Sequence, residues 1–297
     1  MRDAQIETLR RFNRTVTQRV GALDDAFLSR ERPLGQARVL WEIGPAGVDV
    51  ATLRARLDLD SGYLSRLLRA LEADGLVETR PGDSDGRERT AHLTEAGRVE
   101  WGVLDERSDE QARSILTALS PAQRDRLTTA MAEVERLLVA SMVEVEVRAP
   151  GDPAARFCMR SYYRELATRF DGGFDPDAAL PTRDDQLTLP AGLILVATLH
   201  GEPVGCGALK LPKPISDSPA EIKRLWVSPS VRGLGLGRRL LGELEAQARR
   251  HRYGTVRLDT NRALTEAISM YRASGYREVP AYNDEPYAHH WFEKDLS

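Results

Sequence analysis

Eleven consecutive residues, Val231-Arg232-Gly233-Leu234-Gly235-Leu236-Gly237-Arg238-Arg239-Leu240-Leu241, carry three glycines at every second position. They stand between an apolar run at 222–227 and a long amphipathic segment. A glycine-rich turn that feeds directly into a helix leaves several main-chain N–H groups aimed one way, with no Cβ to obstruct a bulky anion. The positive end of the helix dipole adds to the attraction. Arg232, Arg238 and Arg239 flank the turn and suit a negatively charged ligand. This is the chemistry of a pyrophosphate cradle.

The spacing excludes two common phosphate loops. Counted from Gly233 and Gly235, a dinucleotide G-x-G-x-x-G loop would need its third glycine where Arg238 stands. A P-loop needs Lys followed by Ser or Thr after its last glycine, and Gly237 is followed by Arg238. What remains is Arg-x-x-Gly-x-Gly, Arg232 to Gly237, after a strand ending Trp226-Val227-Ser228-Pro229. That form resembles the acetyl-CoA signature of the GNAT superfamily of N-acetyltransferases. A second stretch, Asn261 to Tyr276 with Asn261, Ala267, Tyr271 and Gly275-Tyr276 as landmarks, resembles the superfamily's second motif. The resemblance covers about half of the chain.

The resemblance implies acetyl-CoA as cosubstrate and an amine as acceptor, on a small molecule or a protein. Arg232, Gly233, Leu234, Gly235, Leu236, Gly237 and Arg238 would hold the pyrophosphate. Leu225, Trp226 and Val227 would end a splayed strand and offer main-chain groups to the acetyl carbonyl and pantetheine. Asn261 would bond the cofactor arm, and Tyr271 would give a proton to the departing sulfur. The alternative for Tyr271 is a ring that only packs. Glu221 stands where many relatives carry a glutamate that acts as base, directly or through water; it could equally anchor a substrate amine or be a solvated strand-end charge. In a regular strand Glu221 shares a face with Lys223, Leu225 and Val227. Tyr162-Tyr163-Arg164-Glu165-Leu166 and the loop Tyr282-Asn283-Asp284-Glu285-Pro286-Tyr287 flank the expected acceptor pocket.

Other elements must position this chemistry, and the first half of the chain has a different character. Ile6, Leu9, Phe12, Val16, Val20, Leu23 and Phe27 recur at three- and four-residue steps, which predicts a helix over 4–28. Helices at 35–43, 50–57 and 61–73 form a tri-helical helix-turn-helix pattern. Strands at 76–80 and 87–94 around the turn 81–86 complete a wing. The chain is then helical to about 144, interrupted by the capping box Ser120-Pro121-Ala122-Gln123. This order, with the segment Leu57 to Val77, resembles the MarR family of dimeric winged-helix regulators.

That second resemblance implies double-stranded operator DNA as partner. Ser61, Gly62, Tyr63, Ser65 and Arg66 are the expected major-groove residues, Arg87 the minor-groove residue of the wing tip, and Arg89 its support. Two departures stand out: Gly86 occupies a position that often carries arginine, and Asp74 weakens the positive field. The stripes along the first helix and along Leu127, Met131, Val134, Leu138 and Met142 need a partner, and a homodimer supplies one. The alternative is that they pack on the other domain.

Composition agrees with a protein of this kind. The 297 residues are 41% hydrophobic and 29% charged, with no apolar run that would cross a membrane. Net charge is −3, so DNA contact needs a local patch. The start, Met1-Arg2-Asp3-Ala4-Gln5, lacks the apolar core of a signal peptide, and only Cys158 and Cys206 occur. A disulfide framework and a metal site are not expected, and the cytoplasm is the expected location. The sequence thus predicts two domains: 1–144, mostly α and winged-helix, and 145–297, an α/β (α+β) fold with a central mixed sheet. The reading it favours is a bifunctional regulator and acetyl-CoA-dependent N-acetyltransferase. The alternatives are a regulator whose second domain only senses acetyl-CoA or another ligand, and a transferase whose winged helix serves oligomerisation.

Overall fold

The periodic apolar residues at the start form α1 (Asp3–Arg19), yet none of its residues is buried, and Ile6, Leu9, Phe12 and Val16 are exposed. The computed structural model describes residues 3–21, 32–81, 89–180, 182–212 and 218–296. The first helix stops short of the expected 28: Val20 and Gly21 form a turn, with Gly21 left-handed at φ 66°, and residues 22–28 lie outside the described residues. By its contacts the chain forms two compact units, Met1–Met131 and Ala132–Ser297.

The first unit continues with α2 (Leu34–Ile43), β1 (Val48–Asp49), α3 (Val50–Leu57) and α4 (Ser61–Ala73). Leu64, Leu67, Leu68 and Leu71 recur at three- and four-residue steps, so they share one side of α4, and all four are buried against Leu40, Ile43 and Leu53. Asp60 starts α4: its Oδ1 accepts from the N–H groups of Gly62 at 2.9 Å and Tyr63 at 3.1 Å. Losing an N-cap of this kind costs about 1 kcal/mol. Asp60→Ala should lower the stability of this unit by about that amount in chemical denaturation, and an unchanged midpoint would show that the cap contributes nothing.

The wing is β2 (Val77–Pro81) paired antiparallel with β3 (Arg89–Leu93), from Val77 opposite Leu93 to Pro81 opposite Arg89. β1 adds a third, very short strand on β3. Thr94 then caps α5 (Glu95–Thr117), accepting from the Gly97 N–H at 3.0 Å and donating to the Gly75 carbonyl at 2.7 Å. The reciprocal Ser120 and Gln123 bonds, 3.4 and 3.0 Å, open α6 (Pro121–Met142), which buries none of its residues.

The second unit is a mixed sheet with helices on its two faces. Its strands are β4 (Glu144–Arg148), β5 (Gly192–Leu199), β6 (Glu202–Lys210), β7 (Ala220–Val227), β8 (Thr255–Thr260), β9 (Arg277–Val279) and β10 (His290–Asp295). Its helices are α7 (Pro153–Arg169), α8 (Leu236–Arg250) and α9 (Thr265–Ala273). The spatial order is β4-β5-β6-β7-β8-β10-β9, and only β7 and β8 run parallel. α7 packs its Ala155 and Cys158 on one face with Ile194, Cys206 and Trp226. Leu240, Leu241 and Leu244 of α8 cover the other face with Leu258 and Phe292. The hairpin between β5 and β6 closes on two residues, with Leu199 opposite Glu202. His200 (φ 52°) and Gly201 (φ 80°) alone make it, both left-handed as such a two-residue turn requires. No helix among the described residues is long and apolar enough to cross a membrane.

Candidate functional site

The parallel pair β7 and β8 is joined only at Ala220 opposite Val256 and Glu221 opposite Arg257. Past that point β7 bulges. Its register against β6 jumps between Cys206 and Ala208, and Arg224 takes a left-handed φ of 56°. A bulge bends and twists its strand, and here it lets β7 part from β8. It also changes which residues share a face. Ile222 lies with the α8-side core, and after the bulge so do Leu225 and Val227, whereas Trp226 turns to the α7 side. Glu221 and Lys223 therefore do not share a face with Leu225 and Val227, because the strand is not regular.

The opened strands border a cavity of about 390 Å³. Tyr162 and Tyr163 of α7, Glu221 to Leu225 of β7, Asp259 of β8, Asn261 and Tyr271 line it, together with Asn283, Glu285 and Tyr287 of the loop before β10. Both segments expected to flank an acceptor pocket thus meet there. Tyr271 is buried, with its ring against Tyr276 and Phe292. Its hydroxyl has no hydrogen-bond partner among the described residues. Burial, and then the charge of Asp259, push its pKa up, which keeps the phenol protonated.

Glu221 sits in a row of alternating charge across the sheet. Lys210 opposes it on β6, Arg257 on β8, then come Glu293 on β10 and Arg277 on β9. Directly opposed side chains stand on one face, so the sign of charge alternates from strand to strand along the row. Arg257 donates to Glu221 Oε1 from Nη2 and, at 3.2 Å, from Nε. One step along the strands Lys223 pairs with Asp259, whose Oδ2 also accepts from Asn283 Nδ2 at 3.0 Å. Lys210, Lys223, Arg224 and Asp259 were not among the expected site residues. The i, i+2 spacing of Glu221 with Lys223 and of Arg257 with Asp259 is the signal that pairs them, once the strands are known to be neighbours.

The glycine turn lies between a short 3₁₀ turn (Pro229–Val231) and α8. Gly233 (φ 86°) and Gly235 (φ 76°) are left-handed, and a Cβ on either would meet nothing within 4 Å. The first α8 N–H to find a helical acceptor is that of Arg239, on the Gly235 carbonyl at 3.1 Å. Those of residues 233–238 have no acceptor among the described residues. An open turn with unpaired N–H groups at a helix start fits a pyrophosphate. Gly237 differs: its Cβ would lie 3.3 Å from Met270 Sδ and 3.8 Å from Val227 Cγ2, so here the missing side chain serves packing of α8 on α9.

The three flanking arginines separate. Arg232 donates to Glu165 at 2.6 and 2.7 Å and to the Val227 carbonyl. Arg239 donates to the Val143 carbonyl at 2.8 Å, near the end of α6. Arg238 is exposed and has no partner among the described residues. Glu165, which also accepts from Trp226 Nε1 at 2.9 Å, is a hub the sequence reading missed. Burial works against its charge, but the hydrogen bonds from Arg232 and Trp226 outweigh burial and lower its pKa. Asn261 is engaged as well: its Nδ2 donates to the Tyr287 carbonyl at 2.8 Å and its Oδ1 accepts from the Ala263 N–H at 2.9 Å. One amide hydrogen and one lone pair are left to it.

In the first unit Ser61, Gly62, Tyr63, Ser65 and Arg66 form the exposed side of α4. The Arg66 guanidinium lies 5.5 Å from the centre of the Tyr63 ring. Arg89 is exposed at the start of β3, and Arg87 lies outside the described residues. Asp74 accepts from Arg32 at 2.7 Å, so its charge is matched.

Two family models match this chain: the acetyltransferase (GNAT) family over residues 159–276 and the MarR family over residues 31–88. An N-acetyltransferase of Schizosaccharomyces pombe is 31% identical over 133 residues, which are 42% of this chain and 80% of that protein. An IAA acetyltransferase of Azospirillum brasilense is 35% identical over 92 residues, 31% of this chain and 59% of that protein. The HTH-type transcriptional regulator PetP of Rhodobacter capsulatus is 38% identical over 120 residues, 40% of this chain and 60% of that protein. The chain thus spans about three fifths of the length of these last two relatives. The first half of the chain aligns with one kind of relative and the second half with another, as the two folds do: the chain belongs to the GNAT acetyltransferase family, and the winged-helix segment ahead of it matches the MarR family model over residues 31–88.

Proposed function

We propose that this protein is a transcriptional regulator and an acetyl-CoA-dependent N-acetyltransferase in one chain, with the functional boundary at 144/145. One observation carries the transferase reading. A turn whose N–H groups have no acceptor among the described residues opens at the start of α8, in the same unit as a cavity lined by a buried tyrosine whose hydroxyl has no hydrogen-bond partner among those residues. Gly233, Leu234, Gly235, Leu236, Gly237 and Arg238 would hold the pyrophosphate. Arg232 acts through Glu165, fixing the turn to α7. Leu225, Trp226 and Val227 offer main-chain groups at the splayed strand, and Asn261 its free amide hydrogen. When bound, acetyl-CoA supplies the acetyl group and a thiolate leaving group.

The residues of this chain then have two tasks. Tyr271 holds a proton at its hydroxyl for the departing sulfur, and its raised pKa suits a donor. Glu221 receives the proton that the acceptor ammonium must lose, directly or through water; Arg257 uses only Oε1, which leaves Oε2 for that proton. Glu221→Gln should depress turnover most at low pH, where an unassisted amine is protonated, and a pH–rate profile parallel to wild type would remove Glu221 from the role.

For the first half we propose binding to double-stranded operator DNA as a homodimer, through Ser61, Gly62, Tyr63, Ser65 and Arg66 in the major groove, with Arg87 and Arg89 at the wing. The unburied apolar stripes of α1 and α6 are what a second copy would cover. Such a protein would work in the cytoplasm. Arg66→Ala should cost about 1–3 kcal/mol in operator binding and relax preference at one base position per half-site. The test is a salt-titrated binding assay on the promoter of its own operon and in a genome-wide selection. No preference over random DNA in either would refute DNA reading.

A further inference from the structure

The cavity is walled by aromatic rings but floored by charge: Lys210, Lys223 and Arg224 stand with Glu221, Asp259 and Glu285, and of these only Lys223 and Asp259 form a salt bridge with each other. Tyr163 stacks on Phe174 at 5.6 Å between centroids, and Phe174 meets Tyr287 at 4.8 Å. Three carboxylates line the space, and each is already engaged. Arg257 holds Glu221, Lys223 holds Asp259, and Glu285 accepts main-chain N–H groups from Leu180 at 3.0 Å and Tyr287 at 3.4 Å. Two lining cations have no salt bridge among the described residues. Arg224 spends one N–H on the neutral Thr182 carbonyl at 2.9 Å and lies 5.5 Å from the centre of the Tyr163 ring. Lys210 lies across from Glu221 on the neighbouring strand without bonding it. Burial lowers its pKa, with the Glu221 charge pulling the other way, as for an ammonium short of water and of a direct counter-ion.

The backbone brings Arg224 here at a cost. Lys223 and Arg224 are consecutive, yet both line the cavity. Strand alternation would send one of them away, and the left-handed bulge at Arg224 brings it back. A non-glycine residue in that conformation costs about 1–2 kcal/mol, and strain of this kind is characteristic of ligand sites. A cavity of about 390 Å³ suits a small molecule.

Resting on the reading of this cavity as an acetyltransferase acceptor site, we propose that the acceptor is an α-amino acid with an apolar or aromatic side chain, and that Arg224 and Lys210 receive its carboxylate. The planar guanidinium matches a carboxylate with two parallel hydrogen bonds, and the aromatic walls receive the side chain. Tyr162, Arg224 and Tyr271 all line this one cavity, so the carboxylate subsite and the proton donor share a single space. An α-amino acid carries its amine and its carboxylate on one carbon, so it presents both groups within this cavity. The reaction forms an amide bond to the α-nitrogen and breaks the thioester; the nitrogen loses one proton and the sulfur leaves as thiol.

The experiment compares phenylalanine with phenethylamine, its counterpart lacking the carboxylate, as acceptors for the full chain, by thiol release from acetyl-CoA. Phenylalanine should have a kcat/KM about thirtyfold higher or more, the scale of a charge-assisted hydrogen bond. Arg224→Gln should collapse that ratio to about threefold or less, and Lys210→Met should reduce it. Equal use of the two acceptors by wild type, or an Arg224→Gln variant that keeps the ratio, would overturn the carboxylate subsite and leave the transferase reading standing. Bound acetyl-CoA without turnover of either amine, or of a wider amine panel, would overturn both.

Discussion

Gly235→Val should lower affinity for acetyl-CoA about a hundredfold or more while leaving a folded chain. The reason is conformational, because a Cβ at this position would meet nothing within 4 Å. At φ 76° a β-branched residue is strained by about 1–2 kcal/mol, and the turn relieves that strain by leaving the left-handed region. The N–H groups of 233–238 move with it, and they are what would face the pyrophosphate. Calorimetric titration with acetyl-CoA, beside a thermal melt, reads both effects. Gly237→Ala is the informative companion. Its Cβ meets the flexible end of Met270 at 3.3 Å, so affinity should fall about tenfold or less. Full affinity in a folded Gly235→Val variant would contradict the cradle.

The second large effect is expected at Tyr271. Tyr271→Phe keeps the ring that packs on Tyr276 and Phe292 and removes only the hydroxyl. Turnover should fall roughly a hundredfold with little change in acetyl-CoA affinity, the pattern of a lost proton donor. Melting should hardly move, since the hydroxyl has no hydrogen-bond partner among the described residues. Wild-type turnover in this variant would show that Tyr271 is a packing residue.

The sequence made the helices legible where their buried positions repeat. α4 begins and ends as expected because Asp60 caps it and four leucines share one face. The Ser120 and Gln123 exchange was readable from the capping pattern for the same local reason. Strand β4 went unread although Glu144-Val145-Glu146-Val147-Arg148 alternates; it lies against a helix end and Val147 stays exposed, so no apolar face announced it. The glycine turn was legible because positive φ restricts residue type. The destinations of long side chains were not. Arg232, Arg239 and Asn261 reach partners set by packing of α7, α6 and the 283–288 loop, far away in sequence. The bulge at Arg224 was hidden because arginine carries no signal for a left-handed backbone, and the face of Glu221 was misjudged with it.

The central claim, that the second unit transfers acetyl groups to amines and does not merely sense acetyl-CoA, is tested most directly by thiol release. The full chain is mixed with acetyl-CoA and a panel of amino acids, amines and peptides, and free thiol is followed with and without each acceptor. We predict saturable, acceptor-dependent thiol release with at least one acceptor, at a kcat on the order of 1–10 per second, and its loss in Tyr271→Phe. Tight acetyl-CoA binding with no acceptor-dependent thiol release across the panel would contradict the account and make the second unit a sensor.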